Sequence, residues 1–229
     1  MTMPTKTRFA GGLYGVTPDW DDAARLEAAV RQAAAGGMTA LQLRLKTVNP
    51  ALKLSIAARL REICTELGVV YIVNDDWRLA RDSRADGVHL GRDDGDPSQV
   101  RDQIGADMLI GVSCYADIAR AESMLDVPVD YIAFGAMYPS GTKPGAPPAN
   151  LDVLRLARDL TTTRSHGLVS GRPAVVAIGG ITPHNARALV QAGADSVAVV
   201  GALFGAPDIT SVAQQFTQLF RDQADPALS

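Results

Sequence analysis

Three long polar side chains alternate with leucines in one short stretch of the chain. Gln42, Arg44 and Lys46 are separated by Leu43 and Leu45. Because successive side chains of a β-strand point to opposite faces, the three polar groups are predicted to share one face. Two cations on a buried face need an anion, and arginine binds phosphate through two parallel hydrogen bonds while lysine adds a compact charge. A solvated strand edge would show the same alternation, so the rest of the chain must decide between them.

Two carboxylates follow the next two predicted strands. Asp75 lies in the run Asn74-Asp75-Asp76, and Asp94 ends the run Arg92-Asp93-Asp94. Two carboxylates close together repel unless a cation lies between them, and Mg²⁺ is often held by one or two carboxylates plus phosphate oxygens of a substrate. We therefore predict a Mg²⁺ site at Asp75 and Asp94. Asp76 is the better candidate for an N-cap of the following helix.

Neutral donors follow the last predicted strands. Gly179-Gly180 and Gly201-Ala202 are predicted to expose backbone N–H groups, which is a common phosphate site when a helix N-terminus stands behind it. Ser140 and Thr142 offer hydroxyl donors to the same phosphate, while Lys143 adds its charge to the cationic group of Gln42, Arg44 and Lys46. A simple tight turn would also explain the glycines. Together with the cationic strand, these groups predict one pocket with a diphosphate site and a monophosphate site, which is typical of an enzyme that joins two phosphorylated substrates.

The elements that must position these groups alternate regularly along the chain. The predicted strands are Leu13–Thr17, Ala40–Leu45, Val69–Val73, Gly87–Leu90, Leu109–Ser113, Tyr131–Phe134, Ala174–Ile178 and Ser196–Val200. The predicted helices are Asp21–Ala35, Pro50–Leu67, Trp77–Asp82, Ser98–Ile104, Ala116–Leu125, Leu151–Leu160, Pro183–Ala192 and Ile209–Phe220. Such alternation indicates parallel strands with crossover helices, and eight units favour a single-domain (β/α)8 TIM barrel with its site at the carboxyl ends of the strands. An open doubly wound sheet is the alternative, but no G-x-G-x-x-G follows the first strand.

Length and composition are compatible with one enzyme domain. The chain has 229 residues and a net charge of −3, so we expect one domain over residues 1–229, with flexible tails at 1–10 and 223–229 and no nucleic-acid partner. No signal peptide or membrane span is visible, and a cytoplasmic location is expected. The sequence leaves the oligomeric state open, with a homo-oligomer as one alternative. A Gly- and Pro-rich loop at 135–150 is a candidate lid, and a polar loop at 161–172 is interpreted as a surface insertion.

Three further side chains have plain interpretations. His89 lies within a predicted strand and is expected to be a satisfied core residue rather than a catalyst. Cys114 beside Ser113 is expected to be a small buried hydrophobe, the usual state of a lone cysteine. Tyr14 is expected either to stack on a flat ligand ring or to fill the barrel.

The chain resembles the thiamine-phosphate synthase family, also called thiamine-phosphate pyrophosphorylase. The resemblance is spread in order over most of the chain, and the set of motifs rather than any single one is specific. The matching stretches are Gln42–Lys46, Val73–Asp76, Asp86–Gly91 with Asp94, Gly111–Ser113, Asp130–Lys143, Ala177–Ile181, Ala192–Asp195 and Gly201.

The resemblance implies a transferase of thiamine biosynthesis. Such an enzyme joins 4-amino-2-methyl-5-(diphosphooxymethyl)pyrimidine to hydroxyethylthiazole phosphate, or its carboxylated form, and releases diphosphate. The implied pyrimidine diphosphate site is Gln42, Leu43, Arg44, Leu45, Lys46, Asn74, Ser113 and Lys143. The implied thiazole phosphate site is Ser140, Gly141, Thr142, Gly180, Val200 and Gly201. Mg²⁺ is assigned to Asp75 and Asp94, and Arg44, Lys46, Ser113 and Lys143 are the implied catalytic residues of a dissociative substitution.

Departures from the family pattern are few, and three other functions compete. Arg92 stands where glutamine is usual and offers a partner for Asp93 or Asp94, while Ser140 replaces threonine but keeps the hydroxyl. A thiazole tautomerase is one rival, but Tyr115 stands where its histidine is typical. The other rivals are a lyase with Lys46 or Lys143 as a Schiff base and a non-catalytic sensor of thiazole phosphate or thiamine phosphate.

Overall fold

Eight parallel strands form a closed barrel in the computed structural model, which describes residues 7–45, 49–139, 149–164 and 171–224. Each strand pairs with its neighbours in chain order, and β8 pairs with β1. The strands are β1 (Gly12–Val16), β2 (Met38–Leu43), β3 (Val70–Asn74), β4 (Gly87–Leu90), β5 (Leu109–Tyr115), β6 (Tyr131–Phe134), β7 (Ala174–Ile178) and β8 (Ser196–Val199). The predicted single-domain (β/α)8 TIM barrel is confirmed.

Helices follow the strands on the outside of the barrel. They are α1 (Ala23–Ala35), α2 (Pro50–Leu67), α3 (Trp77–Asp82), α4 (Pro97–Ile104), α5 (Ile118–Met124), α6 (Leu151–Arg164), α7 (Pro183–Gln191), α8 (Gly201–Phe204) and α9 (Ile209–Ala224). All eight predicted helices are present, and the short α8 after β8 is an addition. In the described part of the chain, no helix has both the length and the apolar character required to cross a bilayer.

Strand β2 shows how the sequence sorts the two faces of the barrel. Leu41 and Leu43 point outward and pack with the helices in the outer apolar layer. Ala40 points inward and joins a smaller apolar cluster inside the barrel. Gln42, two residues further on, is 5% exposed on this inner face. The alternation Leu-Gln-Leu therefore belongs to a strand buried on both sides, as the crossover helices predict, and the solvated-edge alternative is wrong.

Three aspartates at the amino ends of the even strands close the bottom of the barrel. Each carboxylate accepts a hydrogen bond of 2.8 Å from a backbone N–H of the preceding odd strand. The pairs are Asp86 with Tyr71, Asp130 with Ile110 and Asp195 with Val175. Each carboxylate also pairs with an arginine: Arg61, Arg101 and Arg172 in the same order. This end is thus built for stability, opposite the end where the candidate site is expected.

The chain before β1 belongs to the fold from Thr7 onward. Thr7 forms a parallel bridge with Arg172, and Arg8 pairs with Asp130 at 3.0 Å. Phe9 is fully buried beneath the barrel interior, with its ring centroid 4.2 Å from that of Tyr131. The predicted tail at 1–10 is therefore wrong for residues 7–10, because the apolar Phe9 side chain fills the bottom of the barrel.

Two other predicted boundaries also change. The tail predicted at 223–229 begins too early, since α9 runs to Ala224 and Gln223 donates to the Val190 carbonyl at 3.1 Å. The interpretation of 161–172 as a surface insertion is wrong at both ends. Thr161 is buried in α6, and Arg172 is 3% exposed because its guanidinium binds the carboxylate of Asp195 at 2.8 Å.

Candidate active site

Polar groups collect at the carboxyl ends of β2 to β5, as the barrel predicts. The described residues of this side are Gln42, Arg44, Asn74, Asp75, Asp94 and Ser113. Lys46, Ser140, Gly141, Thr142 and Lys143 lie outside the described residues, so the roles expected of them stay predictions. The same holds for most of the proposed lid at 135–150.

Arg44 is held by the end of the neighbouring strand. The fully buried hydroxyl of Thr17 accepts a hydrogen bond of 2.8 Å from the Arg44 N–H and donates one of 3.2 Å to the Arg44 carbonyl. The Thr17 N–H donates to the Gln42 carbonyl at 2.9 Å. One threonine therefore positions the backbone of the cationic stretch, a role that sequence reasoning did not find because Thr17 reads as an ordinary strand residue.

Asp75 has a backbone conformation that few residues adopt. Its φ is +66°, in the left-handed region, and its N–H donates to the His89 carbonyl at 2.8 Å. Such outliers concentrate at functional sites, where the surroundings hold them in place. Asp76 accepts a hydrogen bond of 3.0 Å from the Leu79 N–H and caps α3, which confirms its predicted structural role.

Asp94 returns toward the end of β4. Its carboxylate accepts a hydrogen bond of 2.8 Å from the Gly91 N–H, and a Cβ at Gly91 would lie 2.6 Å from the same oxygen. The glycine therefore makes room for the carboxylate. In the described part of the chain Arg92 stacks on the Tyr115 ring, with 5.1 Å from guanidinium carbon to ring centroid, and makes no ion pair with Asp93 or Asp94.

The two carboxylates suit Mg²⁺ in type and in placement. Asp75 follows β3 and Asp94 follows β4, and these strands are hydrogen-bonded neighbours, with Asn74 level with His89. Among the described residues, no group of three or more His, Cys, Asp or Glu side chains is arranged to hold a metal. Two hard oxygen donors fit Mg²⁺ provided that substrate oxygens and water complete its coordination.

A chain of side-chain hydrogen bonds crosses the barrel interior beneath these groups. The Gln42 amide nitrogen donates to the Tyr14 hydroxyl at 2.7 Å, and the hydroxyls of Tyr14 and Tyr131 are 2.9 Å apart. His89 Nδ1 lies 3.0 Å from the Tyr131 hydroxyl, and His89 Nε2 lies 2.9 Å from the Ser113 hydroxyl. We call these five side chains the interior relay. His89 is a satisfied core residue, as expected, and Tyr14 fills the barrel.

Burial sets the ionisation of several groups in and around the relay. Desolvation raises the pKa of Tyr14 despite its hydrogen bonds to Tyr131 and Gln42, and it raises the pKa of Tyr131 as well. Both phenols are therefore protonated at physiological pH. Burial also raises the pKa of the Cys114 thiol to about 12, which confirms that Cys114 is an unreactive buried hydrophobe.

The opposite side of the mouth is made of glycine turns. Gly179 and Gly180 follow β7 with φ of +103° and +62°, and a Cβ at Gly180 would lie 2.5 Å from the Pro139 carbonyl oxygen. This close approach makes glycine necessary at Gly180. A Cβ at Gly201, by contrast, would meet no described atom within 4 Å. Val200 is the N-cap of α8, so backbone N–H groups at Gly201 begin the first turn of that helix.

Comparisons with known proteins point to one family. A family model for thiamine monophosphate synthase matches residues 13–203. The thiamine-phosphate synthase of Bordetella pertussis is 55% identical over 213 residues, which cover 93% of this chain and 96% of that protein. The thiamine-phosphate synthase of an Azoarcus species is 47% identical, with 91% and 97% coverage.

Solved structures show the same relationship. The thiamine phosphate pyrophosphorylase of Pyrococcus furiosus superposes with a TM-score of 0.76 at 28% identity, covering 92% of this chain and 96% of that one. The orotidine 5'-phosphate decarboxylase of Pyrococcus horikoshii, with a TM-score of 0.64 at 18% identity, shares the fold alone. From the matching family model and the high identity to curated relatives, the chain belongs to the thiamine-phosphate synthase family of transferases.

Proposed function

We propose that this transferase joins 4-amino-2-methyl-5-(diphosphooxymethyl)pyrimidine to hydroxyethylthiazole phosphate, or its carboxylated form, giving thiamine phosphate and diphosphate. The observation that carries the proposal is the division of the barrel mouth into two unlike sides. Charged and polar groups follow β2 to β5, and neutral backbone donors follow β7 and β8. Two such sides suit two ligands that carry different phosphate groups.

The charged side suits the pyrimidine diphosphate. Arg44, with Lys46 and Lys143, would bind the diphosphate, while Gln42, Asn74 and Ser113 offer hydrogen bonds to the ring. The side chains of Leu43 and Leu45 are buried in the outer layer, so these residues would contribute only backbone groups. The cationic groups are suited to the charge that grows on the departing diphosphate.

Asp75 and Asp94 are the proposed Mg²⁺ ligands. The bound ion would supply positive charge that neutralises the diphosphate as it leaves. The left-handed backbone at Asp75, the hydrogen bond from Gly91 to Asp94 and the pairing of β3 with β4 support this assignment. Since the described residues offer two carboxylates there, the diphosphate itself would complete the site.

The glycine side suits the thiazole phosphate. The backbone N–H groups after Val200, the open space at Gly201 and the turn at Gly180 support a monophosphate there. Ser140, Gly141 and Thr142 directly follow Pro139, whose carbonyl oxygen lies close to Gly180, and they are proposed to contact the same phosphate.

The proposed chemistry needs positioning rather than a protein nucleophile. The bond between the pyrimidine methylene carbon and the diphosphate oxygen breaks, and the oxygen keeps the electron pair. The aminopyrimidine stabilises the resulting methylene cation, and the lone pair of the thiazole nitrogen then forms the new carbon–nitrogen bond. The two sides of the mouth hold nitrogen and carbon in line while water is kept out. We place this reaction of two small molecules in the cytoplasm.

The test is to incubate the protein with both substrates, with and without Mg²⁺, and to measure thiamine phosphate and diphosphate. We expect equal amounts of the two products, only when both substrates and Mg²⁺ are present. Diphosphate release without thiamine phosphate would contradict the joining reaction. Binding of either ligand without turnover would instead identify a sensor.

A further inference from the structure

The interior relay ends at two groups that the proposed function places against the pyrimidine. Gln42 lies at one end and Ser113 at the other, and Tyr14, Tyr131 and His89 connect them. The function proposed above assigns no task to the three connecting side chains. All three are buried in the barrel interior: Tyr14 is 1% exposed, His89 is 8% exposed and Tyr131 is fully buried.

Each of the three connecting side chains lies between two hydrogen-bond partners. When it accepts from one partner, it donates to the other. Both phenols keep their single proton because burial raises their pKa. A hydroxyl with one proton between two partners satisfies both only by accepting from one and donating to the other. A neutral imidazole behaves alike, since one ring nitrogen donates and the other accepts. The relay therefore has a single direction along its length.

With a neutral imidazole, two directions leave every relay group satisfied. As the amide of Gln42 lies in the structure, Gln42 donates to Tyr14, Tyr131 donates to His89 Nδ1, and His89 Nε2 donates to Ser113. The Ser113 proton is then available to a ligand, and so is the Gln42 carbonyl oxygen as an acceptor. If the Gln42 amide turns over, every bond reverses, the histidine tautomer changes, and Gln42 offers a donor while Ser113 offers an acceptor.

We propose that Tyr14, Tyr131 and His89 are positioning residues that couple the amide orientation of Gln42 to the hydroxyl orientation of Ser113. The two groups then present one acceptor and one donor to the pyrimidine, never two of a kind. An aminopyrimidine offers both an amine donor and ring-nitrogen acceptors, so a matched pair suits it. Reversal would require all the bonds to change together, which makes the pair resistant to independent rotation.

Packing holds the relay in register. The Phe9 ring lies under Tyr14 and Tyr131, with centroid distances of 5.1 and 4.2 Å. The His89 ring stacks on that of Tyr131 at 5.5 Å. A Cβ at Gly111 would lie 1.9 Å from Tyr131 Cζ, so glycine is required for the phenol to reach its partners. The surroundings thus fix the tyrosine and histidine rings, and only the protons and the Gln42 amide group have to change when the relay reverses.

The direct test is the tautomer of His89 in the substrate-free protein, read from the ¹⁵N shifts of the imidazole. The chain has three histidines, so assignment is simple. Gln42→Met removes the acceptor for Tyr14 and should fix the proton on Nε2. Gln42→Glu accepts from Tyr14 and should fix it on Nδ1. The same tautomer in both variants would overturn the coupling, and Tyr14→Phe should abolish the difference between them.

Gln42→Glu places a carboxylate inside the barrel and could prevent folding. A kinetic test avoids that variant. Tyr14→Phe breaks the relay and keeps the ring, so the KM for the pyrimidine diphosphate should rise about tenfold, the loss of roughly one hydrogen bond. The KM for the thiazole phosphate should not change. Tyr71→Phe is the matched control, because its buried hydroxyl lies in the outer layer and outside the relay. Equal kinetics in the two variants would overturn the role in substrate positioning.

The two tests separate this inference from the proposed function on which it rests. The tautomer measurement uses no substrate and still reports the coupling if the protein turns out not to join these two substrates. A protein that joins them normally, but whose His89 tautomer ignores Gln42, would disprove the relay alone.

Discussion

The hydroxyl of Thr17 bridges the backbone N–H and carbonyl of Arg44, at 2.8 and 3.2 Å. Both backbone groups would lose a partner if the hydroxyl were removed from this buried position. The link joins the end of β1 to the residue proposed to bind the diphosphate. It therefore connects the pairing of β1 with β2 to substrate binding.

Thr17→Val should therefore weaken diphosphate binding. The variant keeps the shape but leaves a buried donor and acceptor unpaired, at a cost of about 1–3 kcal/mol in the free energy of unfolding. We expect a higher KM for the pyrimidine diphosphate in steady-state kinetics. Thr17→Ser keeps the hydroxyl and should restore the KM; failure to do so would show that the methyl group matters instead.

Asp75→Asn should reduce turnover and weaken its dependence on Mg²⁺ while the fold is retained. If Asp75 and Asp94 are the proposed ligands and the diphosphate completes the site, Mg²⁺ and the pyrimidine diphosphate should also strengthen each other's binding. Calorimetry with and without the partner ligand measures this effect. Asp93→Asn is the matched control, because Asp93 is exposed and has no assigned role. An unchanged Mg²⁺ titration in Asp75→Asn would disprove the ligand assignment.

Gly201→Ala should raise the KM for the thiazole phosphate and leave that for the pyrimidine diphosphate unchanged. A methyl group at Gly201 would meet none of the described residues, so the fold should tolerate it. The same methyl would stand in the proposed phosphate position and hinder the ligand. Kinetics with each substrate varied in turn provide the internal control, and the reverse pattern would mean that the two sites are exchanged.

Tyr71→Phe should leave stability unchanged or raise it. The Tyr71 hydroxyl is buried and has no hydrogen-bond partner in the described part of the protein, so its removal relieves a desolvation cost of about 1 kcal/mol. Tyr131→Phe is the contrasting variant, because its hydroxyl bonds to Tyr14 and His89, and it should destabilise. Urea denaturation measures both, and a large loss in Tyr71→Phe would reveal an unrecognised partner.

Asp195 should make the barrel sensitive to acid. Burial alone would raise its pKa, but the hydrogen bond and charge of Arg172, aided by the Val175 N–H and Arg158, hold the pKa below its usual value. The carboxylate therefore stabilises the fold above the unfolded pKa, about 3.9, and this stability is lost as the pH falls through the lower folded pKa.

Asp195→Asn tests this at different pH values. It should cost about 3–5 kcal/mol at pH 7, since it leaves Arg172 buried without its partner. The difference from wild type in urea denaturation should shrink as the pH drops below about 4. A difference that stays constant with pH would mean that the ion pair does not control acid stability.

Local patterns predict the barrel well because each unit carries its own signal. The Leu-Gln-Leu alternation of β2 places Gln42 inside and the leucines outside, and eight similar units leave few alternatives to a closed barrel. The predicted positions of Arg44 and Ser113 follow, since strand ends are readable from the chain alone.

Contacts between side chains that are far apart in the chain could not be predicted from the sequence. Tyr131 reads as an apolar strand residue, yet its hydroxyl meets Tyr14, 117 residues earlier in the chain. Arg172 reads as part of a polar loop because nothing local indicates that it meets Asp195. The short helix α8 escapes prediction for another reason: four residues give no period to detect.

The buried Phe9 side chain closes the barrel interior at the end opposite the mouth. Water that could intercept the proposed carbocation would have to enter through the mouth, which a thiazole bound at the proposed site would cover. Phe9, at the opposite end of the domain from the reacting carbon, would then help decide the fate of that carbon. The carbon would form its bond to the thiazole nitrogen instead of being hydrolysed to an alcohol.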